Sequence, residues 1–492
     1  MTGPADLGMQ VRSVLRDAVE CYRDSPQATR WLKRHLDRFS EPLRVAIAGR
    51  VKAGKSTLLN ALVGEQIAPT DAGECTRVIT WYQDSVTPRI TLTAKSGARQ
   101  HLPVVRVDGR LNIDLQGAQP EEIERMTIDW PSQGLRAATL IDTPGIASLS
   151  TETSARTTAL LMAQDEPTPA DAVVYLVRHL HSTDVRFLEA FHDRGVARAT
   201  PVNTIAVLSR ADEIGAGRID AMISARRVAR RYRSDAKVRE LCQGVVAVAG
   251  LLAQTGRTLR QSEIAALTEL AAVPRPDLEA MLLSVDRFTR ATAPVAVAAE
   301  LRMTLLERFG IFGIRLTTSL IQRGGPGAAA SLAPELVRRS GFAELQETLA
   351  AQFTERADML KARSALLAVE RVLREEPRPG ADRLARQVER IVAGAHEFRE
   401  QRLLAELRSG AVTLPPAQLA EARRLLGEDG AAAALRLGLE SGADPGDLRA
   451  AALESLGRWR RQAESPLSTR AVVDACRVVV RSCEGLLARL PA

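Results

Sequence analysis

Residues 49–56 have the types and spacing of a loop that grips phosphate groups. They read GRVKAGKS, which matches GxxxxGK[ST], and they lie between the apolar run LRVAIA and a helix-forming stretch, STLLNALVG. Glycines allow backbone N–H groups to close around phosphate oxygens, and the start of the helix adds partial positive charge. We expect Lys55 to neutralise the β- and γ-phosphates and the Ser56 hydroxyl to bind Mg²⁺. The predicted nucleotide-binding residues of this loop are Gly49, Lys52, Ala53, Gly54, Lys55, Ser56 and Thr57.

A second motif, LIDTPG, lies well downstream of the phosphate loop. Asp142 ends an apolar run, and Gly145 follows it three residues later. A carboxylate in this position holds Mg²⁺, usually through water, and the backbone N–H of the glycine can sense the γ-phosphate. We therefore add Asp142 and Gly145 to the predicted nucleotide site.

The segment PTDAGECTRVITWY between these motifs contains three threonines. Thr76 is the best candidate for the switch threonine that closes on Mg²⁺ and the γ-phosphate, with Thr70 and Thr80 as rivals. The alternative is that Thr76 is an ordinary turn or strand residue. The predicted metal ligands are thus Ser56, Thr76 and Asp142.

The run TIAVLSRAD ends in a motif that resembles [NT]KxD, which reads guanine. Asp212 could accept the two N–H bonds that guanine N1 and N2 offer and adenine does not, which selects GTP. Arg210 replaces the lysine that lies over the base, and Ser209 replaces the asparagine or threonine. A strand-end helix cap is the alternative. Ala249 and Gly250, in VVAVAG, are candidates for the last loop that contacts the base.

The source of water activation is open. Ile146 follows DTPG, where Ras-like enzymes carry a glutamine that orients water. Lys52, Arg50 and Arg77 are candidates, although each could equally be a phosphate contact or a solvated charge. The predicted catalytic residues are Lys55, Thr76 and Lys52. We interpret His179 and His181 as loop histidines, because no further ligands accompany them, and Cys476 and Cys483 as core residues.

The elements that must position these residues alternate between apolar runs and helical stretches as far as about residue 250. This pattern predicts a mainly parallel sheet covered by helices on both faces. Residues 85–132 alternate in polarity and contain glycine turns, which predicts a β-hairpin insertion. Residues 9–39 form one predicted helix, LRMTLLERFGIFGIRLTTSLIQR forms another, and 342–376 and 382–409 are long enough for an extended bundle. The N-terminal and C-terminal helices can then pair as a neck.

Bulk composition sets further limits. The chain has 492 residues, a net charge of +8 carried almost entirely by arginine, and five cysteines without a CxxC pair. An odd cysteine count without metal spacing is typical of a reducing cytoplasm. The N-terminus lacks the apolar core of a signal peptide, and no stretch is long enough to span a bilayer, so membrane contact should be peripheral.

These residues together resemble the bacterial dynamin-like GTPases, most closely the actinobacterial branch that includes the isoniazid-inducible proteins of mycobacteria. The resemblance implies that the nucleotide site of this chain includes Lys55, Ser56, Thr76, Asp142 and Asp212, as the matching residues do in that family. It implies an α/β P-loop GTPase head over 41–325 and an extended α-helical neck and trunk, formed by 1–40 and 326–492. One departure is Val51-Lys52, where eukaryotic dynamins usually carry Gln-Ser. We hypothesise that Lys52 supplies its own positive charge.

In that family GTP joins two heads, and hydrolysis drives membrane remodelling or fusion. The resemblance implies self-association through the heads and a peripheral location on the inner face of the plasma membrane. The trunk loops 374–382 and 408–416 are poor membrane tips, because the first is charged and the second offers only Val412 and Leu414 beside Arg408. Acidic lipids bound through arginines, or a paralogous dynamin-like partner, remain alternatives. An Era-like GTPase acting on RNA is the second functional candidate, and a scaffold with a decayed site the third. The long helical tail argues against a nucleic-acid partner.

Overall fold

The computed structural model describes residues 4–69, 78–107, 109–144, 170–179, 184, 185, 188, 203–290, 295–324, 328–440 and 442–490. Its strands lie in the first half of the chain. They are β1 (Leu43–Gly49), β2 (Thr80–Asp84), β3 (Arg89–Ala94), β4 (Arg99–Leu102), β5 (Val105–Val107), β6 (Arg110–Asn112), β7 (Ile123–Trp130), β8 (Ala138–Asp142), β9 (Ala172–Val177), β10 (Thr204–Leu208) and β11 (Val245–Ala247).

Nine of the described strands form one mainly parallel sheet in the order β11-β10-β9-β1-β8-β2-β7-β3-β4. The strands around β1 are buried on both faces: Val45 and Ile47 belong to one hydrophobic core and Ala46 and Ala48 to another. Continuous apolar runs are what a strand covered on both faces requires. The predicted α/β sheet with helices on both faces is confirmed.

The predicted insertion forms part of the same sheet. Strands β3 and β4 make an antiparallel hairpin, and β7 returns between β3 and β2, parallel to β2. Strands β5 and β6 form a separate two-stranded sheet, and the Leu111 N–H of β6 donates to the Gln66 carbonyl at 2.9 Å. The insertion therefore widens the nucleotide-binding sheet while it adds its own hairpins.

Helices occupy both ends of the described chain and flank the sheet. They are α1 (Pro4–Cys21), α2 (Pro26–Asp37), α3 (Lys55–Val63), α4 (Gln133–Arg136), α5 (Ala221–Ser234), α6 (Ala236–Leu241), α7 (Gly250–Arg257), α8 (Gln261–Ala271), α9 (Arg275–Met281), α10 (Val285–Thr289), α11 (Ala299–Gly324), α12 (Ala328–Arg339), α13 (Phe342–Gln352), α14 (Ala357–Glu375), α15 (Ala381–Gly394), α16 (His396–Ser409), α17 (Pro416–Leu425), α18 (Ala433–Leu437), α19 (Pro445–Glu464) and α20 (Arg470–Leu487). Short 3₁₀ turns cover Arg38–Ser40, Ala211–Glu213 and Thr354–Arg356.

Several predicted long helices are divided in the structure. The single helix predicted over 9–39 is wrong, because Ser25 caps α2, its Oγ accepting a hydrogen bond from the Ala28 N–H at 3.3 Å, and Pro26 starts a new helix. The stretch 342–376 divides at Thr354–Arg356, and 382–409 divides at Ala395, whose backbone is extended. Helix α11 bends at Gly310, where φ is +63°. Helix α19 was missed in the sequence analysis.

Helix α1 pairs with helices from the C-terminal half of the chain, and its role in a neck stays a prediction. It packs against α14 and α15 as well as α2. The Tyr22 hydroxyl donates to the Glu376 carbonyl at 2.9 Å, and the Arg378 guanidinium lies 4.1 Å from the centre of the Tyr22 ring. The last two helices, α19 and α20, instead pack on each other, and α20 also packs on α16, in a third core.

A buried ion pair joins this helical layer to the base of the sheet. Arg38 pairs with Asp171 immediately before β9, and the Asp171 carboxylate also accepts the Arg44 backbone N–H at 3.0 Å. The Lys361 Nζ donates to the Glu41 carbonyl at 2.5 Å, which ties α14 to the start of β1. Helix α12, beyond the predicted head boundary at 325, packs on α7. The division into head and trunk stays a prediction.

The loop 408–416 does not expose an apolar tip. Val412 and Leu414 are buried in the core that α16, α19 and α20 share, and Arg408 is buried and paired with Glu428 at 3.0 Å. Val412 and Leu414 are thus core residues, which the sequence analysis did not predict. No helix in the described part of the chain combines the length and apolarity needed to cross a membrane.

Candidate functional site

The loop 49–56 connects the end of β1 to the start of α3 in an uncommon backbone conformation. Gly49 has φ of +147°, and a Cβ there would lie 2.6 Å from the Leu176 carbonyl oxygen, so a side chain does not fit. Gly54 caps α3 with φ of +91°. Lys52 has φ of +60°, which is rare for a residue with a side chain. The loop thus wraps tightly around the space in front of α3, as a phosphate-binding loop does.

The Lys55 side chain is held over this loop by hydrogen bonds to backbone carbonyl groups of the loop. Its Nζ donates to the carbonyl oxygens of Gly49 at 3.2 Å and Arg50 at 3.3 Å. Burial lowers the pKa of Lys55, and the nearby Asp142 carboxylate opposes that shift. The ammonium group is therefore placed where a bound anion would compensate its loss of hydration.

Asp142 and Ser56 meet at the end of β8. The Ser56 Oγ donates to Asp142 Oδ2 at 3.2 Å, while Asp142 Oδ1 is buried without a hydrogen-bond partner among the described residues. Burial raises the pKa of Asp142 to about 6, and Lys55 and the Ser56 hydrogen bond oppose the rise. A buried carboxylate oxygen with no donor, next to a hydroxyl, fits a hard cation such as Mg²⁺.

The register of the sheet explains why these groups meet. Asp142 is the partner of Ile47 in the parallel β1–β8 pair, and the Thr143 hydroxyl donates to the Ile47 carbonyl at 3.0 Å. Ligands of parallel sheets bind at the carboxyl ends of the strands. The phosphate loop and Asp142 occupy that edge.

A cleft of about 580 Å³, partly open to solvent, connects the phosphate loop to the predicted base-reading motif. The cleft brings together residues that the sequence separates by up to two hundred positions. Its lining includes Ala53, Gly54, Thr57, Ser209, Arg210, Asp212 and Gly250 from the predictions, and Leu58, Leu176, Val207, Glu213, Val248 and Leu251 that were not predicted.

Asp212 lines this cleft. Its carboxyl group is buried, and burial raises its pKa to about 6. The backbone of Gly310 in α11 passes close by, since a Cβ on Gly310 would lie 3.9 Å from Asp212 Oδ2. The Ser209 Oγ donates to the Val177 carbonyl at 3.2 Å, so this side chain anchors the motif to β9.

Arg210 is positioned by an acidic neighbour that the sequence analysis missed. Its backbone is left-handed, with φ of +51°, and its guanidinium pairs with Glu213 at 2.6 Å. Glu213 also pairs with Arg178, at 2.6 Å. The i, i+3 spacing of Arg210 and Glu213 could have predicted their ion pair. The pair with Arg178 could not be predicted in this way, because Arg178 comes from the end of another strand.

The two candidates from the last loop differ in position. Gly250 starts α7 and faces the cleft, where a Cβ would lie 3.7 Å from Thr57 Cγ2. Ala249 is buried, and its N–H donates to the Ser340 carbonyl at 2.9 Å. Ala249 therefore positions the loop, and it does not line the cleft.

Several predicted residues lie outside the described part of the chain: Thr70, Thr76, Arg77, Gly145, Ile146 and His181. The rival Thr80 is described; it is buried in β2, and its Oγ1 donates to the Val78 carbonyl at 3.3 Å. His179 is exposed after β9, and the described residues contain no group of His, Cys, Asp and Glu that could hold a metal through three side chains.

Cys476 and Cys483 are fully buried in the core around α20. Burial raises the pKa of Cys476 to about 11 and that of Cys483 to about 12. Both thiols therefore stay protonated at neutral pH, and the prediction that they are core residues is confirmed.

Comparisons with known proteins agree with the geometry. A model of the dynamin family matches residues 45–210. The chain is 42% identical over 489 residues to the isoniazid-induced protein IniC of Mycobacterium tuberculosis, which covers 98% of this chain and 99% of that protein. It is 34% identical over 143 residues to the isoniazid-induced protein IniA of the same species, covering 27% of this chain and 22% of that protein. A bacterial dynamin-like protein of Nostoc punctiforme is 29% identical over 114 residues, 21% of this chain and 16% of that protein.

A solved structure of an oligomerised bacterial dynamin pair aligns with 99% of this chain and 75% of its own, at 12% identity and a TM-score of 0.36. That score is too low to support an inference about this chain.

Proposed function

This chain belongs to the bacterial dynamin-like family, and we propose that it couples GTP binding, head-to-head association and GTP hydrolysis to membrane remodelling or maintenance at the cytoplasmic membrane. Membership of the family makes it a dynamin-like GTPase that binds guanine nucleotides. An Era-like role on RNA is not favoured by that membership. The remodelling activity, the Mg²⁺ dependence and the site residues are our proposals.

The observation that carries the proposal is the single cleft shared by the phosphate loop and Asp212. Asp212 would accept the N1 and N2 hydrogens of guanine, and its burial strengthens both hydrogen bonds. Arg210, oriented by Glu213, would lie along the base. At the other end, Lys55 and the loop N–H groups would bind the β- and γ-phosphates.

Ser56 and Asp142 would hold Mg²⁺, with Thr76 as the switch residue. The ion would supply charge neutralisation between the β- and γ-phosphates. The Ser56–Asp142 contact of 3.2 Å and the unpartnered Asp142 Oδ1 support this assignment. When ionised, the Asp142 carboxylate would be available to the cation, and the Ser56 hydroxyl oxygen would be a further ligand.

Lys52 is our candidate for the positive charge that offsets the transition state. Its left-handed backbone, with φ of +60°, turns the loop before Ala53 and places the residue on its outer, solvent-facing side. A cation near the leaving phosphate oxygens stabilises the charge that develops there. Association with a second head would bring such a cation close to the leaving phosphate oxygens. Turnover would then depend on association.

Self-association through the heads, a paralogous dynamin-like partner and acidic membrane lipids are the proposed partners, on the inner face of the plasma membrane. These proposals come from the family. The family also makes hydrolysis sensitive to assembly, so protein concentration and membrane are the variables to change.

GTP turnover by the full chain with and without anionic vesicles tests the proposal, with RNA added in a parallel series. We expect specific activity to rise with protein concentration and with vesicles, and not with RNA. The Lys55→Ala variant serves as the inactive control, and its turnover should fall by at least about 100-fold. Stimulation by RNA and not by vesicles would support the Era-like alternative instead.

A further inference from the structure

Two surface segments of the head lie side by side next to α5. The Arg315 guanidinium donates to the Gly217 carbonyl and, at 3.1 Å, to the Leu282 carbonyl. One arginine thereby holds the turn before α5 against the turn before α10. The residues that follow each turn therefore start close to one another.

Four large apolar side chains on these segments face solvent. Ile219 is 50% exposed, Ile223 58%, Leu283 68% and Val285 51%. Each of them lies within six residues of a carbonyl that Arg315 binds, which places them in one region of the surface. Patches of this kind mark surfaces that contact a partner or a membrane.

Arginines continue the same surface along α5. This helix buries Ala221, Met222, Ala225 and Ala229, which leaves Ile223, Arg226 and Arg230 on its outer face at i, i+3 and i+7 spacing. Arg226 and Arg230 are exposed and form no ion pair with any described residue. They line, with Ile223, Arg233 and Glu344, an open cleft of about 770 Å³. Arg233 is 3.6 Å from Glu344, so that acid is already engaged.

We propose that this basic apolar face, formed by Ile219, Ile223, Arg226, Arg230, Leu283 and Val285, docks the head onto anionic lipid bilayers. The inference rests on the proposed membrane function and locates its lipid contact. Apolar side chains beside arginines are what an interfacial binding surface needs: the first enter the acyl boundary and the second bind lipid phosphates.

The chemistry of the face favours a membrane over a nucleic acid. Its six residues include no aromatic side chain on which a base could stack, and four of them are aliphatic. A polyanion bound through arginines alone would gain nothing from exposed isoleucine, leucine and valine. The trunk loop residues Val412 and Leu414 are buried, so they do not compete for this role.

Co-sedimentation of the full chain with vesicles tests the proposal. Phosphatidylcholine vesicles are compared with vesicles that also contain phosphatidylglycerol, and GTP turnover is measured in the same samples. The test variants are Arg226→Glu/Arg230→Glu and Ile223→Ser/Leu283→Ser. The matched control is Arg386→Glu/Arg390→Glu on α15, where two exposed arginines at the same spacing carry the same charge change and are also unpaired among the described residues.

We expect wild type and the control to bind anionic vesicles alike, and each test variant to bind at least about tenfold more weakly. Basal GTP turnover without vesicles should not change. Equal losses in control and charge-reversed variants, or full binding by both test variants, would overturn the proposal. So would binding of RNA through Arg226 and Arg230 without vesicle binding. Vesicle binding by wild type and equally by both test variants refutes this face alone, whereas a wild-type chain that ignores vesicles also refutes the proposed membrane function. Vesicle binding without hydrolysis refutes the proposed GTPase cycle and leaves the face standing.

Discussion

Asp212, which we propose reads guanine, combines burial with a carboxyl group that must be ionised for that role. Burial raises its pKa to about 6, above the usual value of 3.8. The folded protein therefore holds this proton more tightly than the unfolded chain does, so its contribution to stability falls as pH rises between those values. Guanine binding should instead strengthen as pH rises, because only the ionised carboxylate accepts both guanine hydrogens.

GDP affinity should consequently fall as pH is lowered through the pKa of Asp212. We expect about a tenfold loss between about pH 7.5 and about pH 5 in a fluorescent-GDP titration with EDTA, which removes the metal contribution. The Asp212→Asn variant is the control and should bind weakly at both pH values. It should also raise the free energy of unfolding at about pH 7.5 by on the order of 1–3 kcal/mol, because a buried charge is removed. Wild-type affinity that does not change with pH would contradict this role.

Lys52 is the loop residue whose charge we assign to catalysis. Replacement of Lys52 by Gly, which tolerates its φ of +60°, should lower the turnover number for GTP by about 100-fold with little change in GTP affinity. Lys52→Arg keeps the charge and should retain most of the activity. Steady-state turnover and nucleotide titration separate the two effects, and a Lys52→Gly protein as fast as wild type would exclude the role.

The sequence predicted the residues whose spacing is set by phosphate chemistry, and missed those defined by tertiary contact. Lys55, Ser56, Asp142 and Asp212 were named from motifs. The structure places Ser56 beside Asp142, and it places Asp212 in a cleft that the loop residues Ala53 and Gly54 also line. Glu213 was missed because its second partner, Arg178, comes from the segment that follows another strand, β9. The burial of Val412 was missed because exposure depends on helices far along the chain.

Helix α11 illustrates what a periodic pattern leaves out. Apolar residues continue at helical spacing through Gly310, so the sequence predicts one unbroken helix, yet the backbone bends there. A glycine interrupts the backbone and contributes no side chain to the pattern, so side-chain periodicity does not record the bend. The first part of α11 is fixed by the buried Arg308, whose Nη2 donates to Glu263 of α8 at 3.2 Å and to the Thr258 carbonyl at 2.7 Å.

The Arg308–Glu263 pair should be sensitive to the loss of either partner. Glu263→Ala would leave the Arg308 guanidinium buried without its counterion, and we expect the free energy of unfolding to fall by about 3–5 kcal/mol. The double variant Glu263→Leu/Arg308→Met should be much less destabilised, since no charge stays buried. Urea denaturation followed by far-UV circular dichroism measures both. A single variant as stable as wild type would show that the pair is not a structural link.

At the scale of the whole molecule, one hydrophobic core runs from the sheet into α1 and α14, the helices of the predicted neck. Leu15 of α1, Ile47 of β1 and Leu366 of α14 belong to the same buried cluster. The alternation of strands and helices predicted the sheet, and the apolar stripes predicted the helices. The separate core of α16, α19 and α20 was not predictable, because an apolar stripe on a helix does not indicate which other element packs against it.

That shared core predicts that the neck stabilises the nucleotide site. Leu15→Ala should lower the free energy of unfolding by about 2–5 kcal/mol, because Leu15 is fully buried. Its urea midpoint should shift equally whether unfolding is followed by circular dichroism or by release of a fluorescent guanine nucleotide. Leu467→Ala, at an exposed position, is the control and should change neither. Nucleotide release at an unchanged midpoint would indicate that the neck unfolds independently.

The nucleotide preference of Asp212→Asn tests the central claim, a guanine nucleotide site read by Asp212, most directly. Xanthine carries a carbonyl oxygen where guanine carries its amino group, and an asparagine amide can donate to that oxygen. We predict that wild type hydrolyses GTP in preference to XTP by at least about 100-fold, and that the variant reverses this preference. A variant that keeps the wild-type preference for GTP would contradict the account.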